Sequence, residues 1–313
     1  VDVVGIKERI ISRARELGFH DARVSAPRKL EAAELLEKWF ALGYHAEMHW
    51  LKLNLAKRLN PIKLYSETRC VVSLAMGYYS GEEYPFDSST GLISKYAWGL
   101  DYHSVLKQRL KTLLQDLKDE YPGLDGRYFV DTAPILEKEW AVRSGLGWRG
   151  KHSLVVTKDW GSWVFLGELL VNVELAPDSE LSEKCGSCEE CIKACPTGAI
   201  RAPYLVDARR CIAYLTVEHR GDIPKEWRGR MGDYIWGCDI CQNVCPWNQI
   251  HVDLNETFTP LRDKLSFETA SLSRMTNEEF EKQFKMTCLG KAGKRQLVRN
   301  LESIANENGD AGN

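Results

Sequence analysis

The chain has no apolar run long enough to cross a bilayer as a helix, so no membrane span is expected. It has no excess of charge of either sign. Its 42 Lys and Arg stand against 44 Asp and Glu, a formal net charge of −2. A global basic field that would advertise nucleic acid is therefore missing, and only a local basic face is left open. The common nucleotide signatures are missing too. Gly150-Lys151 is followed by His152 and lacks the upstream glycine of a phosphate-binding loop, and no G-x-G-x-x-G follows a strand. No export segment is evident: residues 1–17 read as a charged amphipathic helix, with Ile6, Ile10, Ala14 and Leu17 at helical spacing. Disulfides would need such a segment, so the ten cysteines are expected to be reduced and the protein cytoplasmic.

What the chain does have is cysteine at a particular spacing. Cys185-Gly-Ser-Cys188-Glu-Glu-Cys191-Ile-Lys-Ala-Cys195-Pro196 matches the C-x2-C-x2-C-x3-C-P run of bacterial two-cluster ferredoxins. Cys238-Asp-Ile-Cys241-Gln-Asn-Val-Cys245-Pro246 keeps half of that run, with the distant Cys211 replacing one close cysteine. Three thiolates from one tight loop can take three corners of a 4Fe–4S cube, while the cysteine before the proline leaves the loop and ligates the other cube. That rule assigns Cys185, Cys188, Cys191 and Cys245 to one cluster. Cys195, Cys211, Cys238 and Cys241 take the second. Zinc sites use C-x2-C pairs, but not this run twice. Cys70, inside an apolar strand, reads as a packed core thiol.

Periodicity divides the chain into three parts. Residues 1–176 alternate helices and strands, which predicts an α/β or α+β domain. Strands are expected over 19–24, 69–76 and 127–130, with helices over 30–42, 102–121 and 133–144. In the second helix Leu35, Leu36, Trp39 and Phe40 are expected to be buried. Residues 154–157 and 162–171 are expected to pair as a hairpin through 158–161. Residues 177–250 form a polar linker and the two-cluster module, and 251–313 a helical C-terminal region. A plain ferredoxin needs no large domain in front, so that domain is expected to bind a substrate or cofactor that the clusters serve.

Asp131 is the acid candidate in it. A carboxylate at the carboxyl end of a strand opens onto the usual ligand crevice, and partial burial would raise its pKa toward neutrality. From position alone, capping of the helix that follows Pro134 is the simpler reading. His103 could be a ligand or an acid–base group, but at a helix start among aromatics the structural reading is the simpler one. The glycine-rich stretch 145–153 (G-L-G-W-R-G-K-H-S) admits close approach to its backbone or is a lone tight turn. Residues 201–230 carry seven basic residues and Trp227, either a solvated loop or a face for a phosphate backbone.

Five blocks in order resemble epoxyqueuosine reductases: Val130-Asp-Thr-Ala-Pro-Ile-Leu-Glu-Lys138, the 145–153 stretch, Gly161-Ser-Trp-Val-Phe-Leu-Gly-Glu-Leu169, the first cysteine run, and Gly237-Cys-Asp-Ile-Cys-Gln-Asn-Val-Cys-Pro-Trp-Asn248. The resemblance covers about residues 6–306. It implies an α+β fold, with a nitroreductase-like cobalamin domain ahead of the ferredoxin-type module and a short helical C-terminal region. It implies reduction of epoxyqueuosine to queuosine in tRNA, using base-off cobalamin and two 4Fe–4S clusters. The absence of a D-x-H-x-x-G motif agrees with base-off binding. Some members carry a longer HEAT-like helical tail, so a smaller tRNA surface is expected here. The same resemblance makes Asp131 the proton donor and places Ser94, Gly150, Lys151, His152, Ser153 and Asp239 beside the corrin. It makes Lys138, Arg143, Arg220 and Arg228 candidates for the tRNA backbone. A small electron-transfer protein is the implied donor to a monomer. A plain electron carrier and a small-molecule corrinoid reductase are the rival readings.

Overall fold

The computed structural model describes residues 3–82, 84, 91–249, 256–261, 265 and 269–310. Its centre is a four-stranded sheet in the order Asp21–Ser25, Cys70–Gly77, Val164–Val171, Gly126–Phe129. Every neighbouring pair is antiparallel. The domain is thus α+β, with the helices packed on an antiparallel sheet.

Strand Cys70–Gly77 is buried at all eight positions because both faces are covered. Alternation splits it. Cys70, Val72, Leu74 and Met76 face Ile6 and Ile10 of helix Val3–Glu16 and Leu106, Leu110 and Leu113 of helix Tyr102–Glu120. Val71 and Ala75 face the other way, toward Trp140 and Ala141 of helix Glu137–Arg143. Ser73 lies on that second face, where its Oγ donates to Glu168 Oε2 at 2.8 Å.

Several local expectations change. Helix Ala33–Ala41 buries no residue, and Leu35 is 71% exposed; Leu36 and Trp39 alone of the expected four lean on buried clusters. The expected hairpin reduces to one bridge, Thr157 to Gly161. Val155–Val156 pairs backwards with Trp148–Arg149, and Val164–Val171 joins the main sheet instead. The helix expected from 133 begins at Glu137. Pro134 biases Ala133 away from helical dihedrals, so the turn stays open until the proline is passed.

The cysteine module is fastened to this domain by a parallel pair, Tyr234–Trp236 against Leu92–Ile93. Gly237, at φ 70°, makes the junction possible, since a Cβ there would lie 2.5 Å from the Ser94 Cβ. The C-terminal helices Asn277–Phe284, Cys288–Ala292 and Lys294–Asp310 carry Phe280, Phe284, Leu289 and Leu297 into a core with Trp98 and Trp236. They therefore brace the junction.

Candidate active site and cluster sites

Asp131 stands just past the edge strand Gly126–Phe129, with φ 56°. A non-glycine residue in the left-handed region is strained unless its surroundings hold it. Here the Asp131 N–H donates to Glu137 Oε1 at 2.7 Å. The N-cap position of helix Glu137–Arg143 is Leu136, so the capping reading of Asp131 falls away. Its carboxylate is left facing outward, about half exposed, with His103 Nε2 at 3.0 Å from Oδ2.

His103 is held from both ends. Its Nδ1 lies 2.7 Å from Asp101 Oδ1. Asp101 also caps helix Tyr102–Glu120, accepting the His103 N–H at 3.1 Å. The imidazole stacks on Tyr102 with centroids 4.0 Å apart, and Tyr102 stacks on Phe165 at 4.3 Å. The C-terminal region closes the cluster: Lys291 Nζ lies 2.7 Å from Asp101 Oδ2, and Cys288 Sγ 3.7 Å from Asp101 Oδ1. Asp101, His103 and Cys288 have metal-ligand chemistry, but the Lys291 ammonium and a charged imidazole already neutralise the carboxylates.

These contacts decide where the proton rests. Burial opposes charge on His103, yet the hydrogen bonds from Asp101 and Asp131 outweigh it and push His103 up to about 10. Burial would raise Asp131, but the hydrogen bond and charge of His103, with Lys138 and Lys291 behind it, hold it below the usual carboxylate range. This reverses the expectation of a raised Asp131. At neutral pH the proton sits on His103, and both ring nitrogens donate to carboxylates. Burial, followed by the charge of Asp131, lifts Glu137 to about 7 despite the N–H it accepts.

The eight module cysteines gather into two tetrads. A cavity of about 290 Å³ is lined by Cys185, Cys188, Cys191 and Cys245 together with Lys151 and His152. Cys238 feels the charges of Cys211 and Cys195, and Cys241 those of Cys238 and Cys211. The crossed grouping from the spacing is therefore the spatial one. Cys241 also feels Cys191, so the tetrads adjoin. Cys70 is buried in the sheet away from both.

The 145–153 stretch lines the first tetrad's cavity through Lys151 and His152. Gly150 is tucked against the His152 ring, Ser153 turns at φ 68°, and Lys151 Nζ donates to Gly186 O at 2.7 Å. Leu154 N–H donates to His152 Nδ1 at 3.2 Å. Burial keeps that imidazole neutral, at about 4, so its proton is on Nε2. Nε2 is buried without a partner among the described residues. Lys151 and His152 thus add polar groups to a wall of four thiols, a lining that fits a cluster.

Ser94 and Asp239, both expected beside the corrin, are hydrogen-bonded to each other. Asp239 is fully buried and accepts from Ser94 Oγ, from Lys95 N–H at 2.8 Å and from the Tyr84 hydroxyl at 2.7 Å. They pin the Ser94 loop onto the second tetrad's loop. Of the backbone-binding candidates, Arg143 stacks over Trp140 at 5.8 Å. Arg228 Nε donates to Ile223 O at 2.9 Å, and Arg220 donates to Gln296. Lys138 lies elsewhere: it is exposed, yet feels Arg149, Asp131, Glu137 and Cys211. Its charge thus reaches both the acid pair and Cys211 of the second tetrad.

Comparison with known proteins agrees with this geometry. A family model described as a 4Fe-4S double cluster binding domain matches residues 184–248. Another, described as epoxyqueuosine reductase, matches residues 58–132. The chain is 41% identical to an epoxyqueuosine reductase of Synechocystis sp. over 285 residues, 90% of this chain and 98% of that one. This chain belongs to the epoxyqueuosine reductase family. It is 39% identical to the Escherichia coli epoxyqueuosine reductase over 307 residues, 96% of this chain and 81% of the relative. A crystal structure of an epoxyqueuosine reductase superposes with TM-score 0.92 at 30% identity, covering 99% of this chain and 84% of that one. Another, solved with an epoxyqueuosine-modified tRNA-Tyr stem loop, gives 0.91 at 30% identity, covering 97% and 81%.

Sequence reasoning missed most of the acid cluster. Asp101-x-His103 at a helix start was the available signal. Cys288 comes from 187 positions beyond Asp101, and nothing local could have brought it or Lys291 there.

Proposed function

We propose that this epoxyqueuosine reductase converts epoxyqueuosine to queuosine at the wobble position of tRNA, the closing step of queuosine-tRNA formation. The observation that carries the reading is the meeting, around Lys138, of the His103–Asp131 acid pair and a ferredoxin-type cysteine tetrad. Removing an epoxide oxygen as water and leaving an alkene takes two electrons and two protons. Two 4Fe–4S clusters, which the two cysteine tetrads would hold, and a cobalamin beside Asp131 and Lys138 would supply the low-potential electrons. The stem loop bound by a relative supports tRNA as the partner.

The chain's own residues supply the first proton, to the epoxide oxygen, and the second, which completes the water, comes from solvent. The Asp131 carboxylate, about half exposed, is placed to meet the epoxide oxygen. His103 stores the proton behind it and returns it through the 3.0 Å contact as the C–O bond breaks. Asp101 holds the imidazole protonated and aligned, and Glu137 fixes the strained backbone of Asp131. A positioned acid of this kind typically contributes about 10²–10⁴-fold. Lys138 steadies negative charge on either side of the crevice. The division into residues 1–176, 177–250 and 251–313 fits these roles: proton delivery, electron delivery and bracing. The enzyme is read as a cytoplasmic monomer fed by a small electron-transfer protein; among the described residues no helix is long and apolar enough to cross a membrane.

The test is anaerobic turnover of an epoxyqueuosine-bearing stem loop with a strong reductant, with and without cobalamin, read by nucleoside mass spectrometry. Cobalamin-dependent queuosine is expected. Intact clusters with no product in either arm would return the chain to the electron-carrier reading.

A further inference from the structure

A cavity of about 430 Å³ has neither the acid pair nor any thiol of the tetrads in its lining. It opens where the two units meet. Tyr44 reaches it from the catalytic domain, and Arg201, Arg209, Arg210 and Trp227 from the cysteine module. Its edge is well fastened: Ala208 N–H donates to Tyr44 O at 2.9 Å, and Trp39 Nε1 to Val206 O at 2.7 Å.

Its three arginines are not equivalent. Arg209 is committed, with Nε and one terminal nitrogen each 2.8 Å from Asp207 and its guanidinium 5.2 Å above Tyr44. Arg210 is uncommitted. Its guanidinium lies 5.0 Å from the Trp227 ring, its Nε is buried, and its side chain has no hydrogen bond or ion pair among the described residues. Arg201 makes only a 3.5 Å contact to Gly198 O. A guanidinium laid on an indole keeps its in-plane N–H edge free for a bidentate acceptor. Burying such a donor unpaired is unfavourable unless a ligand supplies that acceptor. Asp207 is spent on Arg209, and Glu226 is the other acid on the wall, so the wall remains cationic.

We propose that this cavity binds a phosphate of the substrate RNA, with Arg210 and Arg201 as its cationic contacts and Trp227 as a stacking surface. The proposal rests on the tRNA reading above and gives the RNA a second anchor outside the Asp131 crevice. Rings interleaved with guanidinium groups suit a nucleotide strand, whose phosphates and bases use both. An acidic protein surface would use the cations and leave the rings idle.

The test uses the full, cluster-loaded chain and an unmodified anticodon stem loop, with affinity followed by fluorescence anisotropy across a salt series. Each phosphate contact on single-stranded nucleic acid contributes about 0.7 to the slope of log affinity against log salt. Arg210→Gln and the exposed-site variant Arg201→Gln are each expected to weaken binding and reduce the slope by about 0.7. Trp227→Leu is expected to weaken binding about fivefold or more with the slope unchanged. Iron content and melting temperature report whether each variant folds, and Arg201→Gln keeps the test decisive if Arg210→Gln does not. Unchanged slopes in the arginine variants would overturn the proposal. So would unchanged RNA binding with slower cluster reduction by a small acidic electron-transfer protein, which would assign the cavity to that donor. Failure of the functional reading looks different: the slopes fall as expected, but the wild-type enzyme makes no queuosine.

Discussion

Replacing Asp101 by Asn isolates the charge that keeps His103 protonated. Asn keeps a side-chain oxygen for the His103 N–H, so the helix cap survives the change. What is lost is a carboxylate 2.7 Å from Nδ1. His103 stands at about 10 against an ordinary 6.5, with burial pulling it down and two carboxylates lifting it. One adjacent carboxylate typically moves a group by about 1–3 units, so the variant's imidazole should titrate at about 7–9. The acid form is the active one, so activity is full below this value and lost above it. The alkaline limb of kcat/KM should therefore move down by about 1–3 pH units, with activity near pH 6 largely kept. The stability term has the same sign: His103 contributes fully below about 6.5 and its contribution fades as pH passes about 10. Single-turnover rates from pH 6 to 10.5, read by nucleoside mass spectrometry, give the profile. An alkaline limb that stays in place in Asp101→Asn would refute the placement of the proton on His103.

Other parts of the account make separate predictions. Cys245→Ser should damage the cluster of Cys185, Cys188 and Cys191 rather than that of its sequence neighbours Cys238 and Cys241. Its electron paramagnetic resonance spectrum should then match that of Cys188→Ser, and a match to Cys241→Ser instead would rule out the crossed grouping. His152→Leu replaces a neutral polar side chain on the wall of the first tetrad's cavity by an apolar one. A less polar wall disfavours the more negative, reduced cluster, so its midpoint potential should fall; an unmoved potential in a redox titration would count against a role for His152 beside that cluster. Glu168 is fully buried in the central sheet, and burial holds its carboxyl well above the ordinary 4.5. Its folded form keeps a proton that the unfolded chain releases, so its stability contribution is full below about 4.5 and drains as pH rises. Glu168→Gln should therefore gain in Tm over wild type as pH goes from 6 to 9, and a constant difference would mean that Glu168 is ionised in the fold.

The cysteine spacing made the module legible because a cube's ligand geometry leaves few alternatives, and the structure keeps the crossed tetrads. Helix Tyr102–Glu120 was equally plain, since Leu106, Leu110, Leu113, Leu114 and Leu117 mark one face. Strand direction was not. A strand covered on both faces reads as one apolar run whichever way its neighbours point, so Cys70–Gly77 gave no sign of its antiparallel partners. Leu35 misled for a related reason, because its helix rests on the domain by a few side chains and leaves the rest in solvent. Asp131 was found by position, but its protonation was misjudged. Burial of the carboxylate is local and could be guessed, whereas the opposing charge comes from His103, held by Asp101 at the start of its own helix, which in turn pairs with Lys291 of the C-terminal region. Lys151 and His152 were recognised as a motif, but that they line the first tetrad's cavity was not, since a glycine-rich turn does not declare which side of a crevice it lines.

The most direct measurement mixes reduced, fully loaded enzyme anaerobically with one equivalent of epoxyqueuosine stem loop and follows the nucleoside by mass spectrometry, for wild type and Asp131→Asn side by side. The account predicts queuosine from the wild type. It predicts a rate lower by about 10²–10⁴-fold in the variant, with both cluster signals retained. Conversion by Asp131→Asn at the wild-type rate would contradict the account at its centre.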